Sequence, residues 1–195
     1  AGFPDIAAAS LIQRLEQQAE PFNARYHLNQ QVSGLERVGE AWRVTTDKGL
    51  SVTCKAIIIA AGAGAFGPNR PPLEGIEGYE GSAVFYAVRR REDFAGRRIV
   101  IAGGGDSAVD WALSLQEVAA RITVVHRRDK FRAIPDNVAK MRRMAEEDRL
   151  DLVTPFQLHA LEGQGTALSA VIVKDMEDNE KSIPADTLLP FYGLS

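Results

Sequence analysis

The sequence predicts a protein of the α/β class, because strand-like and helix-like patterns alternate along its second half. Residues 99–102 are an unbroken apolar run, which is typical of a parallel strand buried on both faces. A glycine turn and a helical apolar stripe follow, and a second apolar run occupies residues 122–125. Strand, glycine turn, helix and strand in this order predict a Rossmann-like, three-layer nucleotide-binding domain.

The glycine turn follows the dinucleotide-binding pattern G-x-G-x-x-A. Gly103 permits a tight turn, and Gly105 leaves no Cβ between the backbone and a pyrophosphate. Ala108 is small enough for the following helix to lie close to the strand. For Asp106 two roles stay open, a contact at the phosphate or stabilisation of the positive end of the helix, and the second is favoured.

The helix after Ser107 is amphipathic. Its apolar stripe consists of Trp111, Ala112, Leu115, Val118 and Ala119, and its opposite face carries Asp110, Ser114 and Glu117. This pattern predicts a helix packed on a sheet, with its N-terminal amides directed at a bound phosphate.

A cluster of cations follows the second strand. His126 stands 21 residues after Gly105, where a site for NAD usually has Asp or Glu to bind the ribose 2′-hydroxyl. Arg127, Arg128 and Arg132 come next, and guanidinium groups bind a 2′-phosphate that a carboxylate would repel. The cluster therefore predicts NADP rather than NAD; the alternative, Asp129 as a displaced ribose ligand, is disfavoured beside three arginines.

The charge distribution and the amino-acid composition exclude several classes of function. The net charge is −3, yet residues 89–143 hold 13 Lys+Arg against 7 Asp+Glu, which suits an anionic ligand or an acidic partner. Aromatic residues do not alternate with the cations, so no nucleic acid is expected. The single cysteine, Cys54, excludes a disulfide framework, a Cys-rich metal site and an intrachain dithiol. No signal peptide or membrane span is visible, and a cytoplasmic protein with no metal is expected.

The first 79 residues read as a helix, a hairpin and a glycine-ended strand. The helix is predicted for residues 7–20, the hairpin strands for 42–46 and 52–56, and a buried strand for 57–59. Glycines and prolines then suggest a linker, with a domain boundary near residue 80.

After the cation cluster, Pro135 opens a predicted helix with Val138, Met141 and Ala145 facing inward. Alternating strands are predicted around residues 153–161, 167–174 and 182–185, as in a β-meander, and a last strand for 188–192.

Residues 103–112, 124–133 and 188–195 together resemble the ferredoxin/flavodoxin–NADP reductases of the thioredoxin-reductase-like type. The resemblance implies a homodimeric, two-dinucleotide-binding-domain flavoprotein whose FAD domain is interrupted by an NADP domain. It implies that hydride passes from NADPH to FAD, and electrons then pass to ferredoxin or flavodoxin. Residues 1–79 would be part of the FAD-binding domain and a linker, 80–190 the NADP-binding domain, and 191–195 the return toward the FAD domain.

The resemblance also assigns site residues. Gly103, Gly105 and Ala108 would form the pyrophosphate turn, with contacts from Gly104 and Ser107. Arg127, Arg128 and Arg132 would hold the 2′-phosphate, with His126 beside it. The turn at residues 60–62 resembles the strand end that passes near FAD. No catalytic side chain is expected, since the cofactors carry the hydride chemistry.

Thioredoxin reductases carry a Cys-x-x-Cys before the strand at 98–102, whereas residues 85–89 here contain no cysteine. The resemblance therefore favours a one-electron protein acceptor, which the basic run 89–91 could meet. The first 80 residues lack an opening strand–G-x-G–helix, and the end of the flavin domain is not found before Ser195. The sequence is thus expected to be a segment of a longer polypeptide, inactive by itself.

Two alternatives stay open. One is a thioredoxin-reductase-like flavoprotein with another acceptor, either a quinone or a disulfide. The other is a non-catalytic module that binds NADP(H).

Overall fold

The computed structural model describes residue 2, residues 6–62 and residues 67–193. The chain divides into two compact units, residues 1–60 and residues 61–195. All ten residues predicted for nucleotide binding belong to the second unit.

The first unit contains one helix and one antiparallel sheet. Helix α1 spans Ala8–Ala19, and Pro21 in the 3-10 turn that follows stops its hydrogen-bond pattern. The sheet has the order β1-β2-β3, with β1 at Val32–Val38, β2 at Ala41–Thr46 and β3 at Ser51–Cys54. The predicted hairpin is confirmed, because β2 and β3 pair antiparallel.

Two expectations for this unit were wrong. Strand β1 was not predicted, since its polar residues and Gly34 break the alternation, and its register with β2 shifts between Val32 and Gly34. The expected buried strand at 57–59 is not a strand, and Ile58 and Ile59 are 92% and 83% exposed. A parallel strand needs a neighbour for its backbone hydrogen bonds, and these residues pair with none of the described strands.

The second unit contains a parallel sheet with two helices. In chain order it has β4 (Arg98–Ala102), α2 (Asp106–Leu115), β5 (Arg121–Val125), α3 (Pro135–Glu146), β6 (Asp151–Val153) and, after a meander, β10 (Thr187–Pro190). These strands form the order β10-β4-β5-β6, parallel throughout. The meander consists of β7 (Gln157–Gln164), β8 (Ala167–Lys174) and β9 (Glu180–Pro184).

Alternation along the parallel strands creates the three predicted layers. Ile99 and Ile101 of β4 pack with Ala112 of α2 and Met141 of α3 on one face. On the other face, Val100 and Ala102 pack with the meander. Because both faces of β4 are covered, its side chains are all apolar beyond Arg98, as the continuous apolar run predicted.

Several element ends differ from the prediction. Helix α2 ends at Leu115, so Val118 and Ala119 lie beyond it, although they still pack against its core. The strand expected at 153–161 is two strands in different sheets, separated at Thr154–Pro155, where proline offers no N–H for a ladder. The last strand ends at Pro190 rather than at residue 192.

The segment expected to be a linker contributes to the second core. Leu73 and Ile76 are 6% and 1% exposed and pack with Val84 and Leu188. Glycines and prolines in this segment had suggested a linker, but its two apolar side chains are buried. The second compact unit therefore begins earlier than the boundary expected near residue 80.

Candidate functional site

A cleft of about 860 Å³ lies at the carboxyl edge of the parallel sheet. The chain continues from β4 to β5, which pairs with one edge of β4, while β10 pairs with the other edge. Ligands of open α/β sheets bind outside the carboxyl ends of the strands at such a point of reversal. The first residues after β4, β5 and β10 all line the cleft.

At two positions of the turn after β4, contacts within the protein, rather than a ligand, require glycine. Gly103 has φ +156°, and a Cβ there would lie 2.8 Å from the Phe191 backbone oxygen and 3.1 Å from Ala108 Cβ. At Gly104, a Cβ would overlap the His126 ring, 2.6 Å from its Cδ2 and closer to its Cε1 and Nε2. A side chain at Gly103 would press on the backbone after β10, and one at Gly104 would displace the His126 ring.

Gly105 differs from its two neighbours. It is the N-cap of α2, its φ is −97°, and, its chain neighbours aside, no atom of the described residues lies within 4 Å of a Cβ built on it. Neither backbone strain nor packing therefore accounts for glycine here. The open space beside it belongs to the cleft, as expected where a ligand approaches the backbone closely.

The start of α2 has no side-chain cap, although Ser107 and Asp106 both line the cleft. Asp106 Oδ1 instead accepts a hydrogen bond from the Ile134 backbone N–H, at 2.8 Å. This bond connects the first turn of α2 to the residue that precedes α3. The N-terminal amides of α2 remain directed at the cleft, where they favour an anion.

The loop after β5 carries the predicted cations. Its position is fixed by the Arg132 backbone N–H, which donates to the Gly104 carbonyl oxygen at 2.7 Å. Side chains of Arg127, Arg128, Lys130 and Arg132 are exposed and line the cleft. None of these four forms an ion pair with a carboxylate in the described ranges, so their charge is available to a ligand.

Asp129 stands among these cations but faces elsewhere. Its Oδ1 accepts a hydrogen bond from Thr154 Oγ1 at 2.7 Å, and its carbonyl oxygen accepts one from Arg142 Nη2 at 2.9 Å. It is not among the described residues that line the cleft. A role as a ribose ligand therefore has no support in the geometry.

His126 lies between the glycine turn and the cations. Its ring is against Gly104, and its centroid is 5.1 Å from that of Phe131. Burial, with a smaller contribution from Arg127, Arg132 and Arg128, holds the pKa of His126 below its usual 6.5. The lowered pKa favours the neutral imidazole when no anion is bound beside it.

Much of the remaining cleft lining is aromatic or apolar. Its described residues include Pro68, Asn69, Tyr86, Ala87, Val88, Trp111, Phe191, Tyr192 and Gly193. The Tyr86 hydroxyl donates to Glu80 at 2.6 Å, and Glu80 also accepts from Arg70 at 2.7 Å. Burial and the Glu80 bond raise the pKa of Tyr86 to about 12, so the phenol stays protonated and fixed.

The structure brings all ten predicted residues to this one cleft. These are Gly103, Gly104, Gly105, Asp106, Ser107, Ala108, His126, Arg127, Arg128 and Arg132. Lys130 was missed, although the same run of cations indicated it. The sequence also did not predict the aromatic and apolar lining residues. Asn69, Tyr86 and Tyr192, for example, come from segments far apart in the sequence and show no common motif.

The structure gives less information about the other sites that the sequence suggests. Arg91, of the basic run 89–91, pairs with Glu117 at 2.7 Å, and Arg90 lies 3.9 Å from Asp93. The turn expected near FAD continues into residues 63–66, outside the described residues. The described ranges hold no group of His, Cys, Asp and Glu that could bind a metal ion, and none of the described helices is long and apolar enough to cross a membrane.

The chain is similar to proteins named ferredoxin–NADP reductase. The relative from Paramagnetospirillum magneticum is 57% identical over 195 residues, covering 100% of this chain and 58% of the relative. The relative from Rhodospirillum rubrum is 54% identical over 198 residues, covering 100% and 57%. The chain thus spans less than two thirds of the length of these relatives.

Solved structures of thioredoxin reductases share the fold. That of Lactococcus lactis, in its FR conformation, has a TM-score of 0.86 and 25% identity, over 100% of this chain and 62% of that one. That of T. acidophilum has a TM-score of 0.83 and 22% identity, over 99% and 61%. These likenesses confirm the predicted two-dinucleotide-binding-domain fold and the resemblance to ferredoxin–NADP reductases of the thioredoxin-reductase-like type.

The family model described as pyridine nucleotide-disulphide oxidoreductase matches residues 4–181. Because this match covers most of the chain, including the glycine turn after β4 and the cation loop, the chain belongs to the pyridine nucleotide-disulphide oxidoreductase family.

Proposed function

We propose that the cleft binds NADP(H), and that the native protein passes hydride from NADPH to FAD and then electrons to ferredoxin or flavodoxin. The observation that carries the proposal is the group of cations at the end of β5 that line the same cleft as the glycine turn and pair with no carboxylate of the described residues. The proposal includes a homodimer, as the resemblance implies, and a location in the cytoplasm, as expected for a sequence in which no signal peptide or membrane span is visible.

The cations fit the 2′-phosphate of NADP(H). Arg127, Arg128 and Arg132 offer guanidinium groups on one side of the cleft, and charge-assisted hydrogen bonds contribute roughly 1.5–3 kcal/mol each. Lys130 adds a fourth positive charge. A dianionic phosphate finds no competing described carboxylate in this loop, because Asp129 is bound to Thr154.

The glycine turn fits the pyrophosphate. The space at Gly105 admits a group close to the backbone, and the α2 N-terminus favours its negative charge. Asp106 is held by the Ile134 N–H, so its function here is to fix α2 against α3. With both phosphate positions fixed, the cleft would orient the dinucleotide.

FAD would accept hydride and release single electrons, and no acid–base side chain is needed for either step. The support for FAD is the family and the named relatives. No residue of the first unit is proposed as a flavin contact.

The relatives' name favours ferredoxin as the acceptor. Cys54, the single cysteine, lies in β3 of the first unit, and residues 85–89 have none. Without a dithiol the chain offers no relay to a disulfide substrate. A quinone acceptor and a non-catalytic NADP(H)-binding module are the alternatives.

A spectrum and an acceptor assay test the proposal on the native protein. We expect the absorbance bands of oxidised flavin, their bleaching by NADPH, and faster reduction of ferredoxin or flavodoxin than of a quinone or a disulfide. NADPH binding with no flavin would support the non-catalytic module instead. Faster reduction of a quinone would be consistent with hydride transfer to FAD, but it would overturn the proposal that the acceptor is a protein.

NADPH binding is expected to weaken as the pH rises through the pKa that His126 has in the complex. The pKa of His126 lies below 6.5 in the free protein, and a nearby phosphate of roughly −1.5 to −2 charge raises it in the complex. Binding therefore takes up a proton, and this contribution is lost as pH rises through the raised pKa. Besides the three arginines, Lys130 and Asp106 line the cleft around the ring. Calorimetric titration at several pH values measures the slope, and His126→Asn should flatten it. An identical slope in both proteins would contradict the prediction.

A further inference from the structure

We propose that Asp129, in the middle of the cation loop (residues 126–132), is a positioning residue for coenzyme selectivity and acts through Thr154 and Arg142. This inference rests on the proposed binding of NADP(H). It concerns side chains outside the cleft, and it accounts for a carboxylate that lies among four cations and pairs with none of the described ones.

The cation loop divides its side chains between two cavities. Its four cations line the cleft, whereas Asp129 and Phe131 line a second, smaller cavity of about 430 Å³. Thr154 and Arg142 border the same smaller cavity, and none of these four residues lines the cleft. The loop thus presents its cations to the ligand and its carboxylate to α3 and the end of β6.

Backbone hydrogen bonds hold the two ends of the loop. The His126 N–H donates to the Val153 oxygen at 3.2 Å, and the Arg132 N–H donates to the Gly104 oxygen at 2.7 Å. Between these bonds, residues 127–131 form no backbone–backbone hydrogen bond within the described part of the chain. The middle of the loop, which carries two of the arginines, therefore depends on side-chain contacts for its position.

Asp129 forms contacts of this kind with two other elements. Its Oδ1 accepts a hydrogen bond from Thr154 Oγ1, directly after β6, at 2.7 Å. Its carbonyl oxygen accepts one from Arg142 Nη2, in α3, at 2.9 Å. These partners lie 25 and 13 residues further along the chain, so the two bonds connect the loop to both the helix and the sheet.

The negative charge of Asp129 by itself opposes phosphate binding. A carboxylate repels a phosphate bound nearby, and one that paired with Arg128 would reduce the charge available to the ligand. Asp129 forms no ion pair with a cation of the described residues. Because electrostatics alone would favour a neutral residue here, the contribution of this carboxylate is the hydrogen bond that it accepts.

A loop that is fixed in advance binds its ligand more tightly. When a ligand binds one loop conformation, its apparent dissociation constant is divided by the fraction of molecules in that conformation. A loop without the Thr154 bond samples further conformations, so this fraction falls. NADH has no 2′-phosphate, and its affinity depends much less on where the arginines lie.

The test separates the hydrogen bond of Asp129 from its charge, by calorimetric titration of NADPH and NADH on the native protein. Asp129→Ala removes both, and it should weaken NADPH binding about threefold to tenfold, the equivalent of one hydrogen bond, while NADH stays within about twofold. Asp129→Asn removes the charge but retains an oxygen that can accept from Thr154. It should bind NADPH at least as tightly as the unmodified protein.

Variants of the two partners give an independent measurement. Thr154→Val lacks the hydroxyl and should weaken NADPH to the same extent, whereas Thr154→Ser should retain the unmodified affinity. Arg142→Met should also weaken NADPH. Arg143→Met is its matched control, because it removes the same charge from an exposed neighbouring position outside both cavities. Amide hydrogen exchange of residues 127–131 should be faster in Thr154→Val than in the unmodified protein.

Unchanged or tighter NADPH binding by Asp129→Ala would show that its hydrogen bond does not position the loop, and would overturn the inference. Equal weakening of NADPH and NADH would overturn it as well, since the effect would not concern coenzyme selectivity. An unmodified protein that binds neither coenzyme, or binds both equally, would contradict the proposed function itself, and that result is distinct from the other two.

Discussion

Replacing both Arg127 and Arg128 with alanine is expected to weaken NADPH binding by about 2–4 kcal/mol in total and to leave NADH binding nearly unchanged. The two side chains are exposed, line the cleft and have no carboxylate partner among the described residues. Their loss therefore removes contacts to a 2′-phosphate without exposing a buried partner. NADH lacks that phosphate, so its affinity should change little.

Calorimetric titration of both coenzymes measures this preference. Lys140→Ala with Arg143→Ala is the matched control, because it removes the same charge from the exposed face of α3, outside the described cleft lining. The control should retain the preference for NADPH. Equal weakening of NADPH and NADH in the Arg127/Arg128 variant would mean that these cations serve the pyrophosphate or the fold rather than coenzyme choice.

Substitutions at two glycines of the turn are expected to have different effects, one on the stability of the protein and the other on NADPH binding. Gly103→Ala should lower the free energy of unfolding by about 2–5 kcal/mol, from backbone strain and overlap with Phe191 and Ala108. Gly105→Ala should change it by less than about 1 kcal/mol, since its φ is ordinary and no atom is near, and alanine is only a poorer N-cap. The same Gly105→Ala should weaken NADPH at least tenfold, about 1.4 kcal/mol, because its Cβ enters the ligand's space.

Denaturant unfolding and NADPH titration of the two variants provide the comparison, and each variant serves as the control for the other. If Gly105→Ala binds NADPH normally, the pyrophosphate does not approach this backbone. If Gly103→Ala is as stable as the unmodified protein, the contact with Phe191 does not require glycine.

The sequence was sufficient to bring the ten predicted site residues together in one cleft. Residues 99–132 form one continuous strand–turn–helix–strand unit, so apolar runs and glycine spacing place Gly103 and Arg127 at the same sheet edge. Lys130 belongs to the same run and could have been included. Asp106 is an example of a role that only the structure specifies, because its partner, Ile134, lies 28 residues away.

Features that depend on distant segments could not be predicted. Tyr86 faces the cleft because its segment runs beside β10, a pairing formed across about 100 residues. Leu73 and Ile76 lie between glycines and prolines, and local composition masks their burial in the second core. For Ile57–Ile59, apolar character indicated a strand, but strand formation also requires a neighbour.

A crystal structure with bound NADP+ tests the assignment of the cleft most directly. The 2′-phosphate should lie within hydrogen-bond distance of the Arg127 or Arg128 guanidinium, with the pyrophosphate beside Gly105. A coenzyme whose 2′-phosphate is bound away from the loop after β5 would contradict it.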